Sequence, residues 1–366
     1  MPDFRINIVV FGIGSLGKAI INQIFEKYQF LLQNRNIDIR FPVISNSTLA
    51  LFESNGIPNN WESEFATKSK VYRYEDIIDF VKSHCLENLI VVDATDSKEL
   101  VKSYIPLIQN GFNIVAANKT ANILHIDFYK ELRRNLKKFN KTFLYEANVC
   151  SGFPVIQTIN NLHLSGEKIT KIRGVFSNSL SYVFNRFSSE EKSFSAILKD
   201  AEGLRLTELD SREDLSGMDT AKKLLVLARE IGNNYELTDI KISSLLLPNL
   251  NQLNTKLEYT SNKEWFDKPF HIAKIAQAEN YVLRYVGEFS VLEEKLEVKL
   301  VSEPVTSPIG QLKGSDTVFE IYTQSYGKIP IVIHGASIEN KVVACGILTD
   351  ILKVIEKIKI KEQVLT

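Results

Sequence analysis

The sequence predicts an α/β protein in two parts: a doubly wound domain, then an α+β domain with a mixed sheet. Two observations predict it. The first 148 residues alternate strand-length apolar runs with amphipathic helical stretches, the pattern of a parallel sheet covered on both faces. From Tyr281 onward the pattern changes to successive strands with short turns, at 281–289, 295–301, 318–323 and 329–333, which suggests antiparallel pairing.

Length and composition set the outer limits. A chain of 366 residues has room for two hydrophobic cores. Lysine plus arginine and aspartate plus glutamate number 44 each, so no net charge argues for nucleic acid or an anionic membrane. No apolar run reaches membrane-spanning length. The chain enters a strand at Arg5–Val10, which leaves no room for a cleaved signal. Cys85, Cys150 and Cys345 are too few and too scattered for a disulfide frame or a metal finger. A cytoplasmic protein is expected.

The first element is the apolar run Ile6–Phe11. It ends in Gly12-Ile13-Gly14-Ser15-Leu16-Gly17, and Leu16, Ile20, Ile21, Ile24 and Phe25 then recur at helical spacing. Strand, glycine turn and helix in this order suit a dinucleotide. Gly12 permits the turn, Gly14 lets backbone approach a pyrophosphate, Gly17 lets the helix pack closely, and the helix start offers free N–H groups. A plain glycine turn is the alternative. The first domain is accordingly read as Rossmann-type.

A second strand covers residues 39–44 and ends in Ser45-Asn46-Ser47, with no acidic residue to take a ribose 2′-OH. Arg40 nearby leans slightly toward NADP and is equally an ordinary surface charge. Residues 48–75 read as an irregular polar connection. The buried strand at 89–93 leads into Ala94-Thr95-Asp96-Ser97, where Thr95 and Ser97 face the cofactor or Ser97 merely caps a helix. The strand at 113–117 ends in Asn118-Lys119-Thr120; Lys119 reaches a ligand there or is a solvated loop lysine. A basic helix runs to about Asn140, and residues 142–148 close the sheet.

Val149–Pro154 reads as a hinge into the second domain, 149–337. A helix at 338–366 returns to complete the first domain, 1–148. A strand at 169–176 leads to a polar turn, Ser177–Tyr182, which faces a substrate or caps a short helix. The most informative stretch follows, Thr207–Lys223. Glu208, Asp210, Glu213 and Asp214 precede Asp219 and Lys223, which lie four apart on one helix face. They form a surface ion pair, or an acid–base site in which carboxylates hold a substrate ammonium and orient the lysine.

These stretches, in this order, resemble homoserine dehydrogenase in its short form without kinase or regulatory domain. The resemblance also takes in Val92–Ser97, Tyr145–Val149, Leu312–Asp316 and Cys345–Asp350. It implies reversible reduction of aspartate 4-semialdehyde to homoserine with NADPH or NADH. Lys223 matches the proton donor and acceptor. Glu208 and Asp219 match substrate-binding positions, and Asp214 a carboxylate of the same site. Lys119 matches a lysine shared by substrate and cofactor. Gly12, Ile13, Gly14, Ser15, Leu16, Gly17 and Thr95 fall on cofactor positions. So do Arg205 and Glu339, which stand where the family has small residues. A monovalent cation, often sodium, is implied at the backbone carbonyls of Glu146, Val149, Ser151 and Phe153. A homodimer formed through the second domain is expected. The alternatives are a related reductase of another semialdehyde or oxo acid, and a nucleotide-sensing protein that has lost turnover.

Overall fold

The computed structural model describes residues 4–150, 152–248, 256–336 and 340–365. The chain forms two compact units, Met1–Gly152 with Glu339–Thr366, and Phe153–Ile338.

The first unit holds a seven-stranded sheet. Its strands are β1 (Phe4–Phe11), β2 (Ile37–Ser45), β3 (Leu49–Phe52), β4 (Lys70–Val71), β5 (Leu89–Asp93), β6 (Asn113–Ala116) and β7 (Phe143–Leu144), in the order β4-β3-β2-β1-β5-β6-β7. The β2-β1-β5-β6-β7 portion is parallel. Strand β1 is buried from Ile6 to Phe11, which explains its unbroken apolar run. The chain winds outward from β1 through β2 and then returns to the other side of β1 with β5. That reversal puts a switch point between the carboxyl ends of β1 and β5, where open α/β sheets bind ligands.

The connection read as irregular, residues 48–75, is not. Strands β3 and β4 extend the sheet in antiparallel fashion, and a helix spans Trp61–Lys68. Trp61 is buried and donates from Nε1 to Asn22 Oδ1 at 2.9 Å, so one aromatic anchor fixes that helix. Arg40 lies mid-strand, five residues before the carboxyl end of β2, and pairs with Asp38 at 2.9 Å. It therefore lends nothing to a 2′-phosphate at the strand end.

The helix Asn340–Leu365 packs in this unit. Ala344, Ile347, Leu348, Ile351, Val354 and Ile355 recur at helical spacing and share one core with Ile8, Val10, Ile20 and Ile24. On the same helix, buried Asp350 accepts a hydrogen bond from the Glu146 N–H at 3.0 Å. Burial raises its carboxyl above the ordinary value of 3.8, against smaller opposing effects from that hydrogen bond and from Lys353. A carboxyl raised in the folded state favours folding while protonated; the contribution is full below the unfolded value and is lost as pH rises through the folded one. Wild type should therefore lose stability relative to Asp350→Asn as pH rises through the acid range. Urea midpoints measured from pH 3.5 to 6.5 check this.

The second unit has a six-stranded sheet. Strands β8 (Ile169–Val175), β9 (Lys241–Ile242), β10 (Tyr281–Ser290), β11 (Lys295–Pro304), β12 (Thr317–Thr323) and β13 (Ile331–Gly335) lie in the order β13-β12-β8-β10-β11-β9. All neighbouring pairs are antiparallel except β11 with β9, so the sheet is mixed, as expected. Phe194 and Phe270 stack at 3.9 Å in the helical layer, with Phe184, Phe187 and Phe266 around them. No helix among the described residues is long and apolar enough to cross a membrane.

Candidate active site

Two groups of side chains carry chemistry, one in each unit. In the first unit the glycine turn follows β1. Gly12 has φ +95°, and a Cβ there would lie 2.7 Å from the Ala94 carbonyl oxygen. At Gly17 an added Cβ would stand 1.8 Å from the Gly12 carbonyl oxygen. At Gly14 it would meet nothing within 4 Å. Two glycines are thus demanded by the protein's own packing, and the third lines open space. Helix Ser15–Arg35 begins there with no side-chain cap and no acidic residue in its first turn, so its N–H groups remain for an anion. Ile13 and Leu16 are half-buried and Ser15 is exposed beside them. This cradle fits a dinucleotide pyrophosphate.

The neighbouring strand ends are locked by a residue that sequence reasoning passed over. Asp93, fully buried at the end of β5, accepts from the Thr95 N–H (2.8 Å), the Thr95 hydroxyl (2.7 Å), the Tyr104 hydroxyl (2.7 Å) and Asn118 Nδ2 (3.0 Å). Burial raises its pKa, and these donors oppose the rise. The network fixes the Thr95 turn and the segment leading to Lys119, which is half-buried just beyond β6. Ser97 accepts from the Leu100 N–H at 3.1 Å and is a helix cap. The signal available in sequence was Asp93 itself, a charge closing a run of four apolar residues.

In the second unit, Gly217 opens helix Met218–Glu230 at φ +76°, and a Cβ there would collide with the Tyr285 hydroxyl at 2.0 Å. Asp219 and Lys223 lie in the first turns of that helix. Lys223 Nζ donates to the Phe176 carbonyl at 2.8 Å and pairs with Asp219 at 2.9 Å. Its side chain is only 16% exposed, against 41% for Asp219, so this is no solvated surface pair. Asp214 accepts from the Ser179 hydroxyl at 2.6 Å and from the Glu208 N–H at 2.9 Å. Burial raises the Asp214 pKa, these two hydrogen bonds lower it, and the charge of Asp219 raises it further. The polar turn after β8 is the start of helix Asn178–Ser189, capped by Ser177, and Ser179 in its first turn supports Asp214.

Other members of the acidic run do different work. Asp210 is held by Arg212 at 2.6 Å, and Glu213 is exposed. Glu208 is exposed beside Asp214. Arg205 is exposed and has φ +56°, a left-handed conformation at the end of helix Phe194–Gly203. The Arg205 N–H reaches the Glu202 carbonyl and the Leu206 N–H the Ala201 carbonyl, closing the helix as glycine usually does. Of the carbonyls assigned to a cation, that of Glu146 accepts from the Val149 and Cys150 N–H groups at 3.3 Å, and that of Phe153 from the Val155 N–H at 3.0 Å. Val149 is buried. Ser151 and Glu339 lie outside the described residues.

Residues 154–352 match the family described as homoserine dehydrogenase, and residues 12–146 match the homoserine dehydrogenase NAD-binding domain. The chain belongs to the homoserine dehydrogenase family. It is 30% identical over 363 residues to homoserine dehydrogenase of Saccharomyces cerevisiae, covering 96% of this chain and 99% of that protein. It is 35% identical over 353 residues to a bifunctional aspartokinase/homoserine dehydrogenase of Buchnera aphidicola subsp. Acyrthosiphon pisum, covering 95% of this chain and 42% of that one. The chain thus spans about two fifths of the length of such bifunctional relatives. A solved structure of a protein of unknown function from Candida auris shares the fold at a TM-score of 0.87 and 29% identity, covering 96% and 98% of the two chains. The match to the NAD-binding domain begins at Gly12, the first glycine of the turn.

Proposed function

We propose that the chain catalyses reversible NAD(P)H-dependent reduction of L-aspartate 4-semialdehyde to L-homoserine. The observation that carries the reading is Lys223, largely buried and held between the Phe176 carbonyl and Asp219 at the mouth of a carboxylate cluster. A dinucleotide held by its pyrophosphate at the Gly12–Gly17 cradle would supply a hydride from its nicotinamide to the aldehyde carbon. Lys223 gives a proton to the aldehyde oxygen as charge develops there, and takes it back from the homoserine hydroxyl in reverse. The Phe176 carbonyl and Asp219 keep its ammonium aimed. Glu208 and Asp214 supply the negative charge that binds the substrate ammonium, with Ser179 steadying Asp214. Lys119 is assigned to the substrate carboxylate and the cofactor, and Thr95 to the cofactor.

Dinucleotide deuterated at nicotinamide C4, on the transferred face, should yield homoserine with one deuterium on C4, read by mass spectrometry. Unlabelled homoserine would contradict direct hydride transfer.

Arg205 is assigned to the 2′-phosphate of NADP. A left-handed non-glycine residue costs about 1–2 kcal/mol. Arg205→Gly should therefore raise stability by about 1 kcal/mol while weakening NADP and leaving NAD affinity unchanged; thermal midpoints and fluorescence titrations check both. The remaining assignments belong to the same reading: a monovalent cation on the Glu146, Val149, Ser151 and Phe153 carbonyls; a homodimer formed through the six-stranded sheet; and a cytoplasmic location. The first unit is the cofactor domain in this reading, and the second binds substrate.

A further inference from the structure

The second unit contains a cavity that the proposed chemistry does not use. It lies where β8 begins, at the opposite end of that strand from Phe176, and has a volume of about 790 Å³. Ile169, Ile231, Val291 and Leu292 form its apolar wall. Val291 and Leu292 are 53% and 81% exposed, an unusual display for adjacent large apolar residues at a turn. At the rim stand Lys168 and Lys328, both exposed, and neither ammonium has an ion-pair partner among the described residues. The rim carboxylate, Glu167, is already engaged: it accepts from the Ser325 N–H at 2.9 Å, which holds its pKa below the ordinary range. The volume is that of a small-molecule site, and an apolar wall with a few polar groups is the usual construction of one.

The charge of the rim sets the ligand class. Two unpaired ammonium groups beside one satisfied carboxylate favour an anion, and the wall favours an alkyl chain or ring behind it. The position sets the consequence. Ile169 begins the strand whose far end leads to Phe176, the carbonyl that holds Lys223, roughly 23 Å away at ~3.3 Å per residue. Ile231 directly follows the helix that carries Asp219 and Lys223 in its first turns, roughly 12 Å back along its axis at ~1.5 Å per residue. Both supports of the acid–base lysine therefore start or end at this cavity. We propose that it is an effector site for an amphipathic organic anion, with the apolar part against Ile169, Ile231, Val291 and Leu292 and the carboxylate at Lys168 and Lys328.

The test uses the full chain, with octanoate as probe and octylammonium as the charge-reversed control. Calorimetry should show saturable octanoate binding, weakened at least about tenfold in the Lys168→Gln/Lys328→Gln variant, and no comparable octylammonium binding. Both lysines are exposed, so the variant keeps the fold. Leu292→Glu, also at an exposed position, should abolish binding through the wall instead. On saturation, hydrogen exchange should slow along helix Met218–Glu230. Four outcomes would overturn the proposal: no saturable octanoate binding, equal binding of octylammonium, binding indifferent to both variants, or saturation with unchanged exchange in that helix. None of these readouts needs turnover, so a failure here is separable from a failure of the proposed dehydrogenase activity.

Discussion

Lys223→Ala should lower homoserine oxidation by about 100- to 10,000-fold, the range that a positioned acid–base group supplies. Dinucleotide affinity should stay near wild type. The expectation rests on geometry: Nζ is held at 2.8 Å from the Phe176 carbonyl and 2.9 Å from Asp219, within a largely buried side chain. A merely structural lysine in this place would behave differently. Lys223→Arg keeps the positive charge and can keep both contacts, yet its guanidinium does not give up a proton near neutral pH. If Lys223 transfers the proton, arginine should fail almost as badly as alanine. If it only ties the helix to β8, arginine should restore most of the activity. Steady-state rates with both variants, alongside fluorescence titration of the dinucleotide, separate the two roles.

The other large effect is expected in the glycine turn, where two substitutions of equal size should act by different routes. Gly17→Ala sets a methyl group 1.8 Å from the Gly12 carbonyl oxygen, so the start of helix Ser15–Arg35 must move. Overpacking of this kind costs roughly 1–3 kcal/mol, and dinucleotide affinity should fall with the displaced N–H groups. Gly14→Ala meets nothing within 4 Å. The protein should fold with wild-type stability, yet bind dinucleotide at least about tenfold more weakly, because the new methyl group occupies the space left for the pyrophosphate; that is about 1.4 kcal/mol. Thermal midpoints and binding isotherms on the pair give the answer. A Gly14→Ala variant with unchanged affinity would remove the pyrophosphate from this turn.

What could be read from sequence was what local periodicity encodes. The run Ile6–Phe11, the glycine turn and the apolar spacing after it are all short-range signals, and the structure realises them as β1 and the helix Ser15–Arg35. The switch to strands after Tyr281 was legible for the same reason. Residues 48–75 were not. Strand β3 has four residues and β4 two, too few for alternation to show, and their pairing is decided by the edge of β2 rather than by their own sequence. The supporting groups of the site were hidden for a related reason. Ser179 reaches Asp214 across 35 residues, and Asn118 reaches Asp93 across 25, contacts that exist only once distant elements have packed together. The conformation of Arg205 was hidden too. Its left-handed φ is a glycine's conformation, so no propensity rule would place arginine there.

Turnover of homoserine by this chain is tested most directly by the growth of reduced-dinucleotide absorbance when purified protein meets L-homoserine with NADP or NAD. Homoserine-dependent, saturable reduction of at least one of the two is expected, nearly abolished in Lys223→Ala. Dinucleotide bound with no turnover in either direction would contradict it, and would leave a protein that keeps the cradle and the carboxylate cluster for something other than this reaction.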